Sequence, residues 1–121
     1  MAITIYGIKN CDMMKNARAW LDKKGVAYAF HDYKIAGIAR EKLEQWDRKV
    51  GWETLLNRAG KTFRKLPDKD KAELNTKKAI SLMLAQPSMI KRPVLELSGD
   101  KLLVGFQPEL YARSVGIPSA R

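Results

Sequence analysis

The sequence predicts an α/β fold: a mixed four-stranded sheet with helices, and a helical insertion between a βαβ unit and a β-hairpin. Three observations carry this reading. The run "AITIYGI" leads into an amphipathic helical stretch and then a second apolar run. Between about residues 39 and 86 the pattern is entirely helical. Near the end, "PVLEL" and "KLLVGF" flank a Ser-Gly-Asp turn, which is the signature of a hairpin.

The elements follow in order. Ala2 to Ile8 is rich in β-branched and aromatic residues and reads as a buried strand. Asn10 is a good N-cap for a helix over about 11–24, with Met13, Met14, Ala17, Trp20 and Leu21 as its apolar face. Gly25 ends it, and Val26 to Tyr33 form the second strand. Strand, helix, strand within about 30 residues is a βαβ unit with parallel strands and a right-handed crossover.

In the middle, Leu43, Trp46 and Val50 mark one helix and "WETLLNR" a shorter one. "PDKDKAELN" reads as a turn of helix opened by its proline. Asn75 or Thr76 caps a longer helix through "KKAISLMLAQ", ended by Pro87. After the hairpin, Pro93 to Leu97 and Lys101 to Phe106, Pro108 opens a last helix that stops at Gly116. No linker or repeat divides the chain, so residues 1–121 are expected to form a single domain. The order of elements is thioredoxin-like.

A chain of 121 residues, 45% of them hydrophobic, can bury a core without disulfides or metal. One cysteine permits no internal disulfide and points to a reducing compartment. With no signal-peptide pattern and no run of membrane-spanning length, a cytoplasmic location away from membranes is expected. The net charge of +10 suits an anionic small molecule, an acidic protein or nucleic acid. The lysines are spread from Lys9 to Lys101, without zinc-finger spacing, an RNP-type motif or a basic heptad region, so nucleic acid is not favoured.

Single residues narrow the chemistry. One Cys and one His cannot supply a usual metal-ligand set, so no metal is expected. His31 reads as a structural or surface histidine rather than a catalytic partner, and Trp46 and Trp52 read as core. Asp68 and Asp70 sit among lysines at a helix start and read as solvated charges.

Cys11 is different. A thiol in the first helical turn faces unpaired backbone N–H groups and the positive end of the helix dipole, which favour its nucleophilic thiolate. Lys15 lies one turn on, with Lys9 and Arg18 at longer reach. The loop after a parallel strand also puts Cys11 at the usual ligand side of an α/β sheet. From position alone, a small buried hydrophobe remains the competing reading. Arg92 and Pro93 precede the third strand; a cis bond there would turn the backbone sharply beside the Cys11 loop and present the guanidinium to an anion.

"ITIYGIKNCDMMKNAR", "FHDY", "LLNR", "IKRPVLE" and "LVGF", in this order, resemble the arsenate-reductase-like (ArsC/Spx) family, closest to its YffB-type branch. The resemblance implies a catalytic Cys11, a cis-Pro93 and an anion-binding Arg92, with Asn10, Lys15 and Arg58 as further substrate-binding candidates. For the YffB-type branch it implies a glutathione-dependent thiol reductase. No bound cofactor is expected; glutathione or another small thiol is the expected co-substrate, and a protein disulfide or glutaredoxin stands as a further partner. Arsenate reductases of the family use three arginines. Here Arg92 matches one, Asn57 stands where the second belongs with Arg58 one place displaced, and none lies near Gly105. This disfavours arsenate reduction. The regulator branch carries Cys-x-x-Cys, whereas this chain has Met14 three places after Cys11, so a protein-binding regulator without a redox switch is the alternative to a monothiol reductase.

Overall fold

The computed structural model describes residues 3–98 and 101–115. The chain forms two compact units: the segments through Asp32 and from Arg92 onward make one, and Tyr33–Lys91 the other.

The first unit is built on a four-stranded sheet of order β2-β1-β3-β4. β1 (Ile3–Gly7) pairs in parallel with β2 (Ala29–Asp32) and antiparallel with β3 (Val94–Leu97), which pairs antiparallel with β4 (Leu102–Val104). This order and polarity are thioredoxin-like, as expected. Registers Ile5↔Phe30 and Ile5↔Leu95 put Ile3, Ile5, Leu95 and Leu97 on one face. There they pack with Met14, Ala17 and Leu21 of α1 (Asp12–Lys23) and Tyr111 of the last helix, whose first residue is Pro108. The three α1 residues recur at i, i+3 and i+7, the stripe that makes this helix amphipathic. Trp20, Phe106 and Tyr111 close the cluster edge to face, with centroids 4.9–6.5 Å apart. The tip of the expected hairpin and the stop at Gly116 lie outside the described residues.

Gly7 belongs in β1 for a steric reason. A Cβ there would sit 2.2 Å from the Met14 Sδ, so the thioether lies directly on the glycine. Met14 is fully buried.

The second unit is all helical apart from one bridge, and it begins earlier than the sequence pattern indicated. β2 stops at Asp32; Tyr33, expected as its last residue, turns into a one-turn helix α2 (Tyr33–Ala36), closed by Gly37 at φ +65°. Tyr33 is buried there. Next come α3 (Arg40–Val50) and the single turns α4 (Trp52–Leu55), α5 (Lys61–Arg64) and α6 (Asp68–Lys71). The longer α7 (Thr76–Ala85) and a 3₁₀ turn at Pro87–Met89 complete the unit. Asn75 caps α7, its Oδ1 accepting from the Lys78 N–H at 2.9 Å. Leu43, Trp46, Leu55, Phe63, Ile80 and Met83 are among its buried residues. The segment that follows α4 is laced to the end of the unit by the Leu56↔Ile90 bridge, with Asn57 N–H donating to the Met89 carbonyl and Lys91 N–H to that of Leu55, both at 2.7 Å. The last helix of the chain is α8 (Pro108–Ser114).

Candidate active site at the start of α1

β1 delivers the chain to the carboxyl end of its parallel pair, and residues 9 and 10 turn it into α1. Cys11, not Asn10, is the N-cap. Cys11 has extended backbone (φ −129°, ψ 128°) while its carbonyl already accepts from the Lys15 N–H at 2.9 Å. The sequence favoured Asn10 on cap propensity, but the backbone conformation decides the cap, and it falls one residue later.

The shift matters chemically. An N-cap side chain is the one aimed at the free N–H groups of the first turn, and here that side chain is a thiol. Cys11 is half-buried against the apolar cluster and is a free cysteine. Its side chain makes no capping hydrogen bond. Asp12 is the first residue of the helix, an acidic neighbour that the sequence reading passed over. Asn10 and Lys15 are exposed on either side of the thiol in the chain.

The Arg92–Pro93 peptide is cis. Pro93 is buried, and its carbonyl accepts from the Gly105 N–H at 2.8 Å. Tyr6 pairs with Val94, so one more step of the antiparallel register sets Pro93 opposite Gly7, at the end of the sheet from which the Cys11 loop departs. Arg92 is half-buried, with its Nε out of solvent. Asn10, Cys11, Lys15, Arg92 and Pro93 therefore belong to the same unit. Arg58 belongs to the helical unit; it is exposed, and its guanidinium stands 5.8 Å from the Trp52 ring centroid.

One polar arrangement escaped the sequence. Tyr6, on the sheet face opposite α1, donates to Glu96 Oε1 at 2.8 Å, and the His31 ring stacks obliquely at 4.9 Å. Burial, then the hydrogen bond and charge of Glu96, hold the Tyr6 hydroxyl well above its ordinary range. The partners are 90 residues apart, so no local pattern could announce them. Among the described residues no group of three or more His, Cys, Asp or Glu could hold a metal, and no helix is long and apolar enough to cross a membrane.

The ArsC family profile matches residues 6–114. This chain belongs to the ArsC family. Among solved structures it is similar to the protein YFFB (PA3664), with 62% identity, a TM-score of 0.90 and coverage of 93% of this chain and 97% of that one. An arsenate reductase (ArsC) related protein from Brucella melitensis is 54% identical, with a TM-score of 0.75 and 97% of both chains covered. Among curated relatives, the global transcriptional regulator Spx of Streptococcus agalactiae is 30% identical over 88% of this chain and 78% of its own. The likeness thus joins ArsC-type proteins on one side and Spx regulators on the other.

Proposed function

We propose that the protein is a thiol-disulfide oxidoreductase that works with one nucleophilic cysteine, Cys11, and glutathione as the resolving co-substrate. The observation that carries this reading is the N-cap position of a lone thiol, with the place three residues on filled by the buried side chain of Met14. The ArsC family membership supports a thiol-based chemistry.

The cycle has two exchanges. The Cys11 thiolate attacks the glutathione sulfur of a mixed disulfide, forming a Cys11–glutathione disulfide and releasing the substrate thiolate, which takes up a proton. The thiolate of a second glutathione, having given up its proton, then attacks that disulfide, releasing oxidised glutathione and the Cys11 thiolate. Net, the mixed disulfide and one glutathione thiol become the substrate thiol and oxidised glutathione, the substrate sulfur being reduced as the sulfur of the second glutathione is oxidised. Free N–H groups at the start of α1 favour the anionic sulfur in each exchange. Arg92, with Lys15 and Asn10, is assigned to the glutathione carboxylates, and the backbone at Pro93 to its peptide. No role is assigned to Arg58.

The test is glutathione-dependent reduction of a glutathionylated peptide by wild type and Cys11→Ser. Loss of turnover to the uncatalysed background in the variant is expected. Turnover that survives, or a wild type without any, overturns the reading. The likeness to Spx regulators favours a second reading, a module that grips another protein without turnover; an inactive wild type would select it.

A further inference from the structure

On the side of β1 away from the cis-proline turn, β2 is an edge strand. Its sequence, Ala29-Phe30-His31-Asp32, has neither the lysine nor the proline that commonly blunts an exposed edge. Beside it lies an open groove of about 460 Å³, lined by Arg18 and Asp22 of α1 and by Val26, Ala27, Tyr28 and Phe30.

Arg18 is held in a set pose. Its guanidinium carbon lies 4.2 Å from the Phe30 centroid and 6.0 Å from that of Tyr28, and its Nε–H donates to the Tyr28 hydroxyl at 3.3 Å. Phe30 meets the guanidinium at stacking distance, and among the described residues the terminal N–H groups make no hydrogen bond. Among the described residues no carboxylate pairs with it, although Asp22 stands one helical turn away. A planar donor fork fixed by two rings is the arrangement that binds a carboxylate in a bidentate manner.

We infer that the β2 edge and this groove form a docking site for an extended segment of a partner protein, with one acidic side chain seated on Arg18. The strand edge supplies main-chain pairing, and the alternation of an added strand brings every second side chain to the Tyr28–Phe30 face. Phe30 shares the face of Ile5, and Arg18 lies over Phe30 on that face, so the acidic residue belongs at one of these positions. Asp22 disfavours a run of acidic residues and selects a single one with apolar or hydroxyl neighbours. This inference is independent of the chemistry assigned to Cys11.

The probe is the capped hexapeptide Val-Thr-Val-Glu-Val-Thr, titrated into the full ¹⁵N-labelled chain and followed by amide and Arg18 Nε–H chemical shifts. Shifts concentrated on residues 28–32 and Arg18 are expected, and replacing Glu by Gln in the peptide, or Arg18→Gln in the protein, should weaken binding about tenfold or more. Arg18→Lys keeps the charge without the fork and should fall between the two, while Arg18→Glu should transfer the preference to a Lys-bearing peptide. Unchanged circular dichroism shows each variant folded. Shifts scattered over surface lysines, equal affinity for the Glu, Gln and Lys peptides, or the same shifts from sodium propionate would overturn the inference. So would β2 shifts that depend on protein concentration without peptide, which would give the edge to a second copy of this chain.

Discussion

The two units of this chain are held together by different means. In the sheet unit, residues distant in sequence meet across registered strands, and one face gathers Ile3, Ile5, Leu95 and Leu97 under α1 and Tyr111. The helical unit is assembled from short pieces, and several of its backbone ends are finished by side chains. Lys78 donates to the Lys69 carbonyl at 2.8 Å and to that of Ala72, Lys71 to that of Arg64, and Asp47 accepts from the Trp52 N–H. Isolated single turns are unstable in water, so α4, α5 and α6 depend on such contacts, and α4 and α5 also on the residues they bury, Leu55 and Phe63. A sheet face averages over many residues, whereas a chain of single turns depends on each anchor.

The largest expected effect that tests this contrast is at Trp46, fully buried in α3. Trp46→Ala should cost about 3–5 kcal/mol. Hydrogen exchange should show protection lost first over Tyr33–Lys91, while the amides of β1 and β3 keep theirs. Simultaneous loss in both would mean that the units share one cooperative transition, and the contrast would fail.

In the sheet unit the informative substitution is at the cis-proline turn. Arg92→Ala should weaken glutathione binding by about 1.5–3 kcal/mol if a charge-assisted hydrogen bond forms, with a smaller change in unfolding free energy. Calorimetric titration alongside denaturant unfolding separates the two quantities. Equal affinity in mutant and wild type removes Arg92 from the site.

Gly7→Ala comes next. The added methyl meets Met14 Sδ, and the overpacking should cost about 1–3 kcal/mol. In combination with Met14→Ala the penalty should shrink, a coupling readable from a double-mutant cycle of unfolding free energies. Additive effects would show that the core relaxes around the contact. The smallest effect is expected in the helical unit, where Asn75→Ala removes the cap of α7 and should cost about 1 kcal/mol; Asn75→Ser should restore most of it.

The two units also differed in how far they could be read from sequence. The strands and α1 were legible because a β-branched run and an i, i+3, i+7 stripe are periodic signals that survive without tertiary context. The ends of β2 were not: Val26 to Tyr28 lie outside the ladder and Tyr33 starts a helix, because pairing with β1 sets the length of β2. In the helical unit α7 was legible through its Asn75 cap, while α2 and α5 left no signal, since four residues are too few for a helical period. At the candidate site the lone Cys11 and the Arg92–Pro93 pair stood out as residue types at telling positions. The N-cap shift from Asn10 to Cys11 and the fit of Met14 onto Gly7 did not, because both depend on backbone geometry.

That fit has a consequence for how such a protein changes over generations. A second thiol at position 14 would create the Cys-x-x-Cys spacing, and an N-cap and the residue three places on are close enough in a helix turn for a disulfide. Yet Met14→Cys alone removes the group that fills the space over Gly7, and filling that space first, at position 7, collides with the methionine. Each single step is penalised in the background that precedes it, and only the pair is compatible. The passage between one-thiol and two-thiol forms is therefore epistatic: a lineage crossing it must change two positions seven residues apart, and the order of the changes decides which intermediate it has to survive.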